Sequence, residues 1–217
     1  MIKLDLQFFG GRGSGSASGG GGGGNIVFGG PANQLGLAGQ TYFEGNKVSV
    51  SGTVNYWENK SRDLDHEEVL MIGEDGFAVG YFKGERGSVS FNIPKGVDPK
   101  KTVLTHNHPV KQKDGRTISG SFSDADLTNH IKLGFKETRA VGVEGSYSFK
   151  TTSKSNPTGF QKALGTRKST VSKAADKRYT QPGNTKSYID IYLEESHKWY
   201  SKNAGKYGYD YSFTPKK

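Results

Sequence analysis

Cysteine is absent from this chain. That excludes disulfide bonds, cysteine-ligated zinc and thiol catalysis together, and leaves His, Asp and Glu as the protein ligands open to a transition metal. Long apolar runs are missing too. In the opening MIKLDLQFFGG the apolar stretch is broken by Asp5 and Gln7, so it does not read as a secretion signal, and nothing later is long enough to span a bilayer. These absences predict a chain that stays in the cytoplasm of the cell that makes it and has no membrane partner.

The 217 residues suffice for one domain of moderate size with appendages. Hydrophobic residues make up only 32% and glycine supplies 32 positions, so part of this length is not core. Eleven Tyr and twelve Phe nevertheless argue for a real folded unit. The net charge of +9 is unevenly spread: residues 151–217 hold 13 Lys/Arg against 5 Asp/Glu, and the rest of the chain is near neutral. Such a basic third is either a solvated lysine-rich helical region or a contact for nucleic acid or another acidic surface.

Residues 10–24, GGRGSGSASGGGGGG, carry glycine at 10 of 15 positions and read as a flexible linker, making 1–24 a Gly-rich tail. The tag before it alternates and is suited to joining a partner as a strand or short helix. Residues 25–64 form an irregular lead-in, in which KVSVSGTVNYW places Val48, Val50 and Val54 as one half-buried strand. From 67 to 93 an apolar run, an EDG turn, a second run and an alternating segment predict three strands. KKTVLTH is a further strand, and RAVGVEGSYSFK a hairpin. SDADLTNHIKLGFKE reads as a helix capped by Ser123, with Leu127, Ile131 and Phe135 sharing a face. After Lys150 two helices are expected, over 159–178 and 185–206, the second with Ile189, Leu193, Trp199 and Tyr200 on its apolar face. The aromatic KYGYDYSF should pack down the end of that helix, the alternative being to stack on bases or on a partner. His130 and His197 read as helix-surface residues, His66 as solvated or touching the site. The class is α+β, a mixed sheet packed by helices.

The chemistry concentrates in VLTHNHPVKQKDGRTISGSFSDADL. Alternate side chains of a strand share a face, so His106 and His108 project together, half of a zinc site. Asp126, on the next helix, is the candidate third ligand, and Glu67 or Glu68 the nearby carboxylate that takes a proton. Nucleobase deaminases are excluded with the cysteines. The HNH letters lack the second histidine of an HNH nuclease, and the polyglycine lacks the Lys-Ser/Thr of a phosphate loop.

TVLTHNHP, then FSDADL, with EEVLMIG upstream, resembles the JAB/MPN (JAMM) metalloprotease superfamily and its RadC DNA-repair-associated relatives. The likeness covers residues 65–150. It implies a cytidine-deaminase-like mixed sheet flanked by helices, Zn2+ on His106, His108 and Asp126, Glu67 or Glu68 as general base with Glu67 preferred, and Ser123 steadying the oxyanion. The sequence departs from the family in the polar insert VKQKDGRTISG and in an overlapping Ser121/Asp124 pair. MIKLDLQFFGGRGSGSASGG is similar to the leader of bacteriophage and prophage head-morphogenesis proteins. Together these imply a phage-associated zinc peptidase or isopeptidase in a host bacterial cytoplasm or in the virion, acting on a protein or peptide. The alternatives are a non-catalytic head or virion module that binds phage structural proteins, and a RadC-like DNA-associated factor with the 151–217 region on nucleic acid.

Overall fold

A computed structural model describes residues 2–5, 49–85, 88–109 and 120–216. The polyglycine stretch and most of the polar insert lie outside the described residues, as do Lys47 and Val48.

The expected strand around Val50 is a helix, α1 (Val50–Ser61). Ser49 caps it, its hydroxyl accepting from Gly52 N at 3.0 Å. The valines that suggested alternation also satisfy helical spacing: Val50, Val54 and Trp57 fall on one face and pack against Leu70, Ile72, Val103 and Val141. Covering an apolar sheet face outweighs the modest strand preference of valine.

Six strands form one sheet in the order β3-β2-β5-β6-β7-β8. These are β2 (Glu68–Ile72), β3 (Ala78–Lys83), β5 (Val103–Asn107), β6 (Glu137–Val141), β7 (Gly145–Lys150) and β8 (Asp210–Pro215). All pairings are antiparallel except β5 with β6. A parallel pair needs a crossover, and α2 (Asp124–Leu133) lies within it. Every residue of β2 and β5 is buried, as expected of central strands covered on both faces. The N-terminal tag does contain a strand, β1 (Ile2–Asp5), paired antiparallel with β4 (Ser88–Phe91) of its own chain.

Helix α2 ends earlier than the sequence suggests. Gly134, at φ 72°, forms a left-handed C-cap, so Phe135 leaves the helix and packs with Val69, Leu104 and Phe91 rather than beside Leu127 and Ile131. Helices α3 (Pro157–Tyr179) and α4 (Tyr188–Lys206) follow. The buried stripe of α4 is Tyr192, Ser196, Tyr200 and Ala204, with Ile191 beside it, while Ile189 and Leu193 are only half-buried. Of the terminal aromatics, Tyr207 is the C-cap of α4, and the chain beyond it runs on as edge strand β8, setting Phe213 opposite Tyr147 and Tyr211 opposite Phe149. The cluster that results joins Leu127, Phe149, Phe160, Leu164, Tyr200 and Tyr209, so α3, α4 and β8 share a core with α2 and the sheet.

Candidate metal centre

Register decides which side chains meet. His106 lies opposite Val69 and Asn107 opposite Val141. Val69 belongs to the core under α2, and Val141 to the core under α1. His106 and His108 therefore face α2, and Asn107 between them faces α1. The same alternation separates the two glutamates. Glu67, two residues before Val69, falls on the histidine face, and its charge acts on His108. Glu68 falls on the other face, where His66 Nε2 lies 2.8 Å from its Oε1 and the Tyr81 hydroxyl also reaches it.

Asp126 arrives from the first turn of α2. The cap is reciprocal: Asp126 N donates to Ser123 Oγ at 3.1 Å, and Ser123 N donates to Asp126 Oδ2 at 2.7 Å. This fixes the carboxylate over the strand end. Its Oδ2 sits 3.4 Å from His106 Nε2 and 3.7 Å from His108 Nε2, and the two imidazole nitrogens are 3.1 Å apart. The overlapping pair is not part of this arrangement, because Asp124 turns away to ion-pair with Arg167.

These three residues form a buried group that can hold a metal ion. All are at most 2% exposed. Four tetrahedral ligands at zinc–nitrogen distance stand roughly 3.3 Å apart, and the three observed edges bracket that spacing. Second contacts also fit. His108 Nδ1 lies 3.0 Å from the Gly120 carbonyl; donating there leaves the Nε2 lone pair turned to Asp126. His106 Nδ1 has no hydrogen-bond partner among the described residues.

The electrostatics follow from packing two imidazoles around a carboxylate. Burial pushes the Asp126 carboxyl up, but His106 and His108 outweigh it and hold the group well below the usual carboxylate range. Burial likewise pulls the His108 imidazole down. Asp126, Glu67 and the Gly120 carbonyl overcome that and raise it.

Comparison with protein-family models, with curated proteins and with solved structures gave no significant match. No described helix is long and apolar enough to cross a membrane.

Three contributions around the site were not read from the sequence. Asn107 is fully buried and bonds the backbone on both sides of Glu67, accepting from Glu68 N at 2.7 Å and donating to the His66 carbonyl at 2.9 Å. Its signal was present in THNHP as the residue alternating between the histidines. Arg167 and Tyr200 come from α3 and α4, with no local signal. Arg167 grips Asp124 and lies 5.2 Å over the Tyr200 ring, while the Tyr200 hydroxyl donates to the Phe122 carbonyl at 2.7 Å. His130, expected on the helix surface, is 1% exposed, with Nδ1 2.8 Å from Thr138 Oγ1 and Nε2 2.9 Å from Thr151 Oγ1. His197 is half-buried, with Nδ1 3.0 Å from the Tyr211 hydroxyl on β8.

Proposed function

We propose that the chain is a phage-associated zinc hydrolase of JAB/MPN type that cleaves an amide bond in a protein or peptide. One observation supports this reading: two Nε2 atoms and a carboxylate oxygen converge in the interior, with Glu67 on the same face of the sheet. Zinc held by His106, His108 and Asp126 supplies Lewis acidity and lowers the pKa of water. Glu67 takes the proton from the attacking water and returns it to the leaving amine. The Ser123 oxygen already accepts from Asp126 N, and its hydroxyl proton is left to donate to the developing oxyanion. The head-protein-like leader and the THNHP wording support the phage setting.

Elemental analysis of protein purified without chelator, together with hydrolysis of labelled host and phage proteins, tests the reading. The expectation is about one zinc per chain, retained in Glu67→Gln while hydrolysis falls by about a hundred-fold or more. Sub-stoichiometric metal that His106→Ala leaves unchanged would sink the site.

The near-complete burial of all three ligands favours a second reading, a non-catalytic virion module held together by a structural metal. In that case Glu67→Gln equals the wild type in every hydrolysis assay, and removing the metal lowers the melting temperature.

A further inference from the structure

Helices α3 and α4 leave a groove of about 600 Å³ on the side of the molecule built from the basic third of the chain. One wall, from α3, is small: Ala163, Thr166, Thr170 and Ala174, with Lys162 at one end. The other wall, from α4, carries Lys198, Lys202 and Lys206 at successive four-residue steps, about 6 Å apart along the axis. Among the described residues Lys162, Lys202 and Lys206 have no ion pair. Lys198 lies 2.8 Å from Glu195, the only acidic residue among the described residues that line the groove. Between the lysines sits Trp199, partly buried and backed by Phe160 and Tyr200. At the end lies Tyr207, with Lys206 5.2 Å over its ring.

We propose that this groove binds single-stranded nucleic acid, a function separate from the candidate metal centre. The row of lysines is spaced like successive phosphates along a strand, and each phosphate neutralised releases counterions. An apolar floor with an indole ring is what an unpaired base requires, since base–aromatic stacking is indifferent to sequence. At about 600 Å³ the groove has no room for a duplex, so a duplex engages the lysines alone and binds more weakly. A peptide made of Asp and Glu alone meets the charge but has no planar ring to stack on Trp199.

The test uses the full chain and a fluorescein-labelled oligo-dT of fifteen nucleotides, read by anisotropy and by tryptophan emission. Trp57 is fully buried, so quenching reports on Trp199. Binding should weaken with salt with a log–log slope of about −2 to −3. Lys202→Glu with Lys206→Glu should lose at least ten-fold in affinity and flatten that slope by about 1.4. Lys162→Glu, on the opposite wall, should weaken binding independently. Both sets of lysines are exposed, so an unchanged melting temperature should certify the folded state. Failure of wild type to bind, equal binding by the charge-reversed variants, tighter binding of a duplex of the same length, or quenching of Trp199 by polyglutamate that displaces the oligonucleotide would each overturn the proposal.

Discussion

Asn107 holds Glu68 by its backbone, accepting from its N–H at 2.7 Å, and with its amide nitrogen holds the carbonyl of His66 at 2.9 Å. A single buried side chain thus clamps the peptide groups flanking Glu67, from the strand whose next residues on either side are His106 and His108. The carboxylate and the imidazoles are tied to a common frame through their backbones, on the face of the sheet away from the candidate metal centre.

Replacing Asn107 by Leu takes the partner from the buried Glu68 N–H and from the part-buried His66 carbonyl. At about 1–3 kcal/mol for each orphaned group, the expected loss is roughly 2–6 kcal/mol in chemical denaturation. Metal stoichiometry should persist, because the ligand atoms lie on the opposite face. A loss below about 0.5 kcal/mol, the range of an ordinary surface substitution, would show that the clamp does not contribute.

Asp126 has two tasks that substitution can separate. Asparagine keeps an oxygen to accept from Ser123 N but has no charge for a cation, whereas alanine loses both. Asp126→Asn and Asp126→Ala should both abolish stoichiometric metal binding. Alanine should cost the apo protein about 1 kcal/mol more than asparagine, the usual worth of a helix cap. Equal metal content in Asp126→Asn and wild type would remove the carboxylate from the ligand set.

His130 makes stability pH-dependent. Burial pulls its imidazole down from 6.5 to about 3. Between those values the unfolded chain binds a proton that the folded chain refuses, so stability is fully present above pH 6.5 and is lost as pH falls. The slope for one such group is about 1.4 kcal/mol per pH unit. Denaturation midpoints between pH 7 and 5 should therefore drop for wild type, and drop less steeply for His130→Gln. Parallel curves would mean that another group titrates in this window.

Tyr200 links α4 to the approach of α2 by donating to the Phe122 carbonyl. Tyr200→Phe should preserve the packing of the ring while leaving that buried carbonyl unpaired, at a cost of about 1–3 kcal/mol. Because Phe122 adjoins the Ser123 cap, hydrogen exchange should rise in the first turn of α2. An effect confined to α4 would show that the contact does not support the cap.

Much of this architecture is local and was legible as such. The strands over 68–91, β5, the hairpin of β6 and β7, and the Ser123 cap follow from period-two alternation, turn glycines and a serine three residues before an acid. The ligand pair His106 and His108 follows from the same period, and Asp126 from the cap. What failed had a non-local cause. Val50 and Val54 suit a strand or a helix equally by spacing, and the uncovered sheet face chose the helix. His130 looks exposed until Thr138 and Thr151 close on it, and Asp210 to Pro215 become a strand only because β7 offers an unpaired edge.

The short-range chemistry was set by the residues alone: that His106 and His108 share a face, and that Ser123 caps α2. The fold placed Glu67 and not Glu68 on the histidine face, since that depends on the register of β2 against β5. It also decided that the three ligand atoms stand at metal-binding distances, and that α3, α4 and β8 complete the same core. Strand periodicity and caps are set within a few residues, whereas register and burial depend on partners tens of residues away that compete for the same surface.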